Sequence, residues 1–145
     1  MKQRKTLRAE GDITRTYEFP WPPHPALWWV SDKRKGEGAF RYSAAVRAYR
    51  GQLRRAVVRQ GGPWMTSKRD RVRVDMLLTY PWFKDNGAPV ELAMLMITAL
   101  RRIVLYWPPQ VVELHITIRK RRAPQVDMTF TVLPPVPRDK ETRRR

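Results

Sequence analysis

Four segments of the chain alternate apolar and polar residues with the two-residue period of a half-buried β-strand. The first runs from Ile13 to Phe19 and includes Tyr17. The second, Arg71 to Tyr80, sets Val72, Val74, Met76 and Leu78 against Arg71, Arg73 and Asp75. In the third, Val112, Leu114, Ile116 and Ile118 alternate with Glu113, His115, Thr117 and Arg119; the fourth carries Val126, Met128, Phe130 and Val132 on one face. Trp28 to Val30 adds a short strand. Two further segments follow the helical period. Val46, Tyr49, Leu53 and Val57 recur at three- and four-residue steps, so a helix is predicted from an N-cap at Ser43 to about Gln60. Arg47, Arg50, Arg54, Arg55 and Arg59 fall around its outer surface. Val90 to Ile103 is apolar almost all round, with Leu92, Leu95, Met96, Ala99, Leu100 and Ile103, and predicts a deeply buried helix.

Between these elements the chain is punctuated by residues that stop regular structure. Pro20-Trp21-Pro22-Pro23-His24-Pro25 makes a stiff loop, and Asp32 to Gly38 a basic, glycine-containing turn. Gly61-Gly62-Pro63 ends the first helix. Pro81 to Pro89 is a loop holding Trp82 and Phe83, Pro108-Pro109 breaks the chain again, and Lys120 to Pro124 is a basic turn. The resulting order, β–(β)–α–β–α–β–β, predicts one α/β (α+β) domain with a mixed β-sheet packed against two main helices. Residues 1–12 read as a mobile basic arm, 13–133 as the domain, and 134–145 as a proline-rich, charged, disordered tail.

A length of 145 residues suits one domain with a real core. No apolar run approaches the roughly 20 residues that span a bilayer. Met1 to Glu10 is polar and basic, without the apolar stretch of a secretory signal. A cytoplasmic protein without membrane contact is expected. The chain has no cysteine and two histidines, His24 and His115, both read as structural. Disulfides and thiolate sites are ruled out, and neither a metal nor another cofactor is expected. Net charge is +17, which draws polyanions and speeds encounter with them. Arginine outnumbers lysine 22 to 8, proline numbers 13, and Asn86 is the one asparagine, a bias that suits a hot environment or a GC-rich genome.

Three segments together resemble the RusA family of phage-type Holliday junction resolvases. They are the strand entering Phe19-Pro20-Trp21-Pro22-Pro23; Tyr42-Ser43-Ala44 with Arg47-Ala48-Tyr49-Arg50; and Thr98-Ala99-Leu100 followed by Gln110-Val111-Val112-Glu113-Leu114 and Arg119-Lys120. The likeness spans 13–133 and implies a RusA-like fold and a homodimer. That family places a D-L-D-N stretch at the second helix, a lysine within it, and an acidic pair before the glutamine, and its carboxylates hold divalent ions. The D-L-D-N positions here are Ala88, Pro89, Val90 and Glu91, the lysine position is Met94, and the acidic pair falls on Trp107 and Pro108. Magnesium needs hard oxygen ligands, so the resemblance implies a degenerate nuclease with no catalytic residues and no metal. A shift of one or two residues would bring Asp85 or Glu91 near the site. Both read more simply as a solvated loop acid and a first-turn acid favoured by the helix dipole.

Without catalysis the expected function is binding. Candidate contacts for nucleic acid or an acidic surface are Lys33, Arg34, Lys35, Arg101, Arg102, Arg119 and Lys120, with the first-helix arginines. Trp82, Phe83 and Trp107 are candidate protein-binding aromatics, since apolar aromatics on a polar rim make hot spots; filling of the vacated cleft as local core is the competing reading. The preferred partner is bacterial RNA polymerase, bound by a phage-type regulator of host transcription. The alternative is structural binding of branched DNA, and an active resolvase ranks third.

Overall fold

The computed structural model describes residues 13–62, 64–80, 89–121 and 123–136. The chain forms β1 (Ile13–Pro20), β2 (Trp29–Ser31), β3 (Phe40–Tyr42), α1 (Ala44–Arg59), β4 (Arg71–Tyr80), α2 (Pro89–Ala99), β5 (Val111–Lys120) and β6 (Gln125–Leu133). The main sheet has strand order β1-β6-β4-β5. β6 runs antiparallel to both β1 and β4, whereas β4 and β5 are parallel, so the sheet is mixed. β2 and β3 form a separate antiparallel hairpin. The expected single α+β domain with a mixed sheet is what the chain adopts.

The α1 boundaries follow local chemistry. Ser43 Oγ accepts the Val46 N–H at 3.2 Å, and Val46, Tyr49, Leu53, Ala56 and Val57 are buried on one stripe. Burying Val46, Leu53 and Val57 contributes roughly 1.5–3 kcal/mol each. They pack with Tyr17, Phe19, Val74, Met76, Leu78, Met128 and Phe130 from the inner face of the sheet in one core. Trp28 is fully buried beside them, its indole N–H donating to the Pro23 carbonyl at 2.8 Å. Trp21 meets Tyr80 edge to face, and Trp29 is half exposed, stacked on Tyr42. The outer sheet face is polar, with Thr14 opposite Thr131 and Thr16 opposite Thr129.

Several sequence expectations need correction. The second helix stops at Ala99 and not at Ile103, because Arg102 adopts a left-handed φ of 65° and the chain closes a tight turn, with the Arg102 N–H on the Leu105 carbonyl at 2.7 Å. Leu100 and Ile103 are nonetheless buried, so their apolar character reported the core and not the helix. That helix is also less enclosed than expected, with Val90, Glu91 and Met94 exposed. The short β3 has no counterpart in the sequence reading. The alternating residues of β5 are not firmly buried either: Leu114 and Ile116 are half-buried, and Val112 and Ile118 are exposed, because β5 lies at the sheet edge. The expected arm at 1–12 and the tail beyond 136 lie outside the described residues.

Candidate polyanion-binding surface

α1 carries five arginines and no acidic residue. Arg47, Arg54, Arg55 and Arg59 are exposed, and Arg50 is half-buried. A groove of about 600 Å³ between α1 and the end of β1 is lined by Arg55, Arg59, Gln52, Gln60, Glu18 and Gln125, among others. A shallower hollow of about 370 Å³ lies over Arg54, Arg55, Val58 and Arg59. Like charges spaced three and four residues apart on a helix repel, so this row costs the free protein stability that an anionic partner would return.

Arg50 is the point where α1 meets the end of α2. Its Nε donates to the Ala99 carbonyl at 3.0 Å and its Nη2 to the Arg101 carbonyl at 2.8 Å. Those carbonyls lie at and just beyond the helix end, where partial negative charge collects. The guanidinium lies 5.6 Å from the Tyr42 ring centroid, and the Tyr42 hydroxyl donates to the Thr98 carbonyl at 3.4 Å. Burial lowers the Arg50 pKa from its ordinary value; Arg54 and Arg101 push the same way and Tyr42 opposes them. Burial raises the Tyr42 pKa, against the pull of Arg50 and Arg101.

Tyr42, Arg50, Arg101 and Arg102 line a hollow of about 310 Å³. The Arg102 guanidinium sits 4.1 Å above the Tyr106 ring, and its left-handed backbone costs on the order of 1–2 kcal/mol. A guanidinium presents a planar fork of donors that matches carboxylate or phosphate oxygens two at a time. Three of them line this hollow, with Arg50 already donating its Nε and Nη2 to the Ala99 and Arg101 carbonyls.

The remaining predicted cations fall elsewhere. Lys33, Arg34 and Lys35 form a 3-10 turn at the tip of the β2–β3 hairpin, capped by Asp32, which accepts the Arg34 N–H at 3.3 Å. The other end of that hairpin is Tyr42, beside Arg50. Arg119 lies on the outer sheet face, lining a hollow of about 390 Å³ with Asp75, His115, Thr117 and Asp127 among others, while Asp75 itself pairs with Arg73 at 3.2 Å. Lys120 is exposed at the end of β5. The structure therefore groups Arg101 and Arg102 with Tyr42 and Arg50 and leaves Arg119 outside that group. Reading Arg50 as one more outer-surface arginine missed its role, because its spacing matches that of its neighbours and its partners lie 49 and 51 positions away.

Trp107 is 42% exposed, on a loop held by a buried amide. Gln110 Oε1 accepts from Thr66 Oγ1 at 2.7 Å and from the Tyr106 and Trp107 N–H groups at 3.0 and 3.3 Å, while its Nε2 donates to the Ser67 carbonyl. Trp82, Phe83, Asp85 and Ala88 lie outside the described residues. Val90, Met94, Trp107 and Pro108 carry no carboxylate, and a magnesium ion takes hard oxygen ligands. Among the described residues no three His, Asp or Glu side chains are grouped so as to hold a metal ion, and no helix is long and apolar enough to cross a membrane. No protein-family model matches the chain, and no curated protein matches it significantly.

Proposed function

We propose that the protein acts by binding, presenting the arginines of α1 and the Arg50–Arg101–Arg102 hollow to an acid-rich partner. The observation that carries this reading is the five-arginine, acid-free α1, joined at Arg50 to a concave cluster of guanidinium groups. The preferred partner is bacterial RNA polymerase, with the protein acting as a phage-type regulator of transcription from the host cytoplasm. That choice rests on the resemblance to a resolvase scaffold stripped of its carboxylates and on the net charge of +17. The exposed Trp107 adds an apolar anchor of the kind that centres protein interfaces. A homodimer, implied by the same resemblance, would present the arginine surface twice to one partner and raise avidity.

The second reading, non-cleaving binding of branched DNA, is favoured by the row of exposed α1 arginines, which suits a phosphate backbone. A pull-down from nuclease-treated bacterial extract at moderate salt separates the two. Retention of RNA polymerase subunits supports the regulator. Loss of all protein, with a labelled four-way junction bound steeply only at low salt, favours the DNA binder. Cutting of that junction with Mg²⁺ or Mn²⁺ would overturn the non-catalytic reading.

A further inference from the structure

Away from the row of α1 arginines, the β2–β3 hairpin sets aromatic rings beside guanidinium groups. Residues directly opposite in an antiparallel pair, and residues two apart on one strand, share a face. Tyr42 pairs with Trp29 and stands two positions from Phe40, so three rings lie on one face of the hairpin. Trp29 stacks on Tyr42 with centroids 4.9 Å apart, and the Arg50 guanidinium lies 5.6 Å from the Tyr42 centroid. Tyr42 is thereby occupied, whereas Trp29 and Phe40 are 45% and 65% exposed. Arg101 and Arg102, which share the hollow with Tyr42, are exposed at one end of these rings. Lys33, Arg34 and Lys35 form the hairpin tip at the other. No acid occurs in the sequence between Glu37 and Asp70 or between Glu91 and Glu113. Of the two acids in the hairpin turn, Glu37 is exposed, and Asp32 is buried as the cap of the basic tip.

We propose that the hairpin face holds an unpaired DNA strand, with bases stacked on Trp29 and Phe40 and phosphates on Arg101, Arg102 and the basic tip. A single strand repeats a flat base and a phosphate at every unit, and rings flanked by cations answer both. An acidic protein surface answers the charges but offers no regular series of flat partners. Rings two residues apart on a strand are separated by roughly 6.6 Å, and diagonal neighbours across the pair by roughly 7–8 Å. Both spacings exceed the 3.4 Å step of a duplex strand. Only a strand whose bases are spread apart can lay them on such rings. Arg50 is a positioning residue here. Its Nε and Nη2 are spent on carbonyls, so it holds Tyr42, and through it Trp29, and leaves phosphate contact to Arg101 and Arg102. Guanidinium groups and the indole carry no acceptor for the hydroxyl that distinguishes ribose, so DNA suffices. Neither reading above uses Trp29 or Phe40, and this one needs no host protein and no junction.

Fluorescence anisotropy of a labelled oligothymidylate titrated with the full chain at moderate salt, beside the same strand made abasic, tests the proposal. The two strands carry equal phosphates, so the electrostatic part of binding cancels in their ratio. The wild type is expected to bind the thymidylate about tenfold tighter or more. Phe40→Leu and Trp29→Leu keep an apolar side chain without a ring, and each is expected to cut that preference by about fivefold. Phe40→Tyr should retain it. Affinity for a duplex of equal length, carried by phosphates, should stay unchanged in all three variants. Phe40 is largely exposed, so its variants are expected to melt with the wild type and keep the test decisive if Trp29→Leu fails to fold. An abasic strand bound as tightly as the thymidylate overturns the proposal. So does a folded Phe40→Leu that keeps the full preference, or one that weakens duplex binding equally. Oligouridylate bound more than about tenfold tighter than oligothymidylate overturns the assignment to DNA. Retention of RNA polymerase in the pull-down, with no preference for bases here, sinks this inference and leaves the regulator reading standing.

Discussion

Single side chains hold the loops that shape the arginine surface, and two can be tested directly. Gln110 ties Thr66, Ser67, Tyr106 and Trp107 together through one buried amide. Gln110→Ala leaves some of these groups without a partner in the interior and should cost about 1–3 kcal/mol, read from urea unfolding. Arg50 is a fastening as well as a charge. Arg50→Met keeps much of the apolar stem but removes both bonds to the end of α2, and should cost about 1–2 kcal/mol while weakening polyanion binding. Arg50→Lys retains the charge and loses the fork. If it binds as weakly as the methionine variant, the geometry of the guanidinium matters more than its sign. The sequence showed that position 50 was basic but not that it was tethered, because tethering depends on carbonyls that only the folded chain brings near.

At the scale of elements, α1 concentrates the charge on which the proposed binding rests, with five arginines and no acid. Replacing Arg54 and Arg55 with serine removes two exposed cations and leaves the buried stripe of Val46, Tyr49, Leu53 and Val57 untouched. If both contact phosphates, affinity for DNA should fall alike across sequences, and the logarithmic salt slope should become shallower by about 0.9 per lost contact. Stability should change little or rise, since like charges have been thinned; binding as a function of salt and thermal melting read the two effects. The boundaries of α1 and of β1, β4 and β6 were legible because caps, breakers and periodicity are local signals. The end of α2 was not. Leu100 and Ile103 continue the apolar pattern beyond Ala99, and nothing local announces that a non-glycine residue, Arg102, will turn left-handed. For β5, alternation located the strand but overstated its burial. A strand's period says which face turns inward, while its rank in the sheet decides how much lies above that face.

For the whole molecule, the core sets a pH limit. Tyr49 is buried, its hydroxyl donating to the Pro20 carbonyl at 2.7 Å, and burial pushes its pKa far above the ordinary tyrosine value. Its unfolded pKa stays near 10, so above about pH 10 the unfolded chain releases a proton that the folded chain keeps. Stability is therefore unaffected by this group below that pH and falls above it, by up to about 1.4 kcal/mol per pH unit. Tyr42 and Tyr80, whose pKa values are also raised by burial, act in the same direction. Urea unfolding across the alkaline range should show the decline, and Tyr49→Phe should flatten it while losing the bond to Pro20 at all pH values.

By itself the sequence determined the repeat of each main element, the stops between most of them, the mixed α+β architecture and the chain's own strongly positive charge. Each is carried by neighbouring residues or by composition, and none depends on where distant segments settle. Tertiary structure alone decided that among the described residues β5 lies at the sheet edge, that Gln60 binds the Glu18 backbone of β1, that Arg50 fastens two helices, and that Arg119 shares a hollow with Asp75 and Asp127 and not with the other arginines. Those outcomes depend on which strands pair and which helix ends meet, and such contacts join residues tens of positions apart.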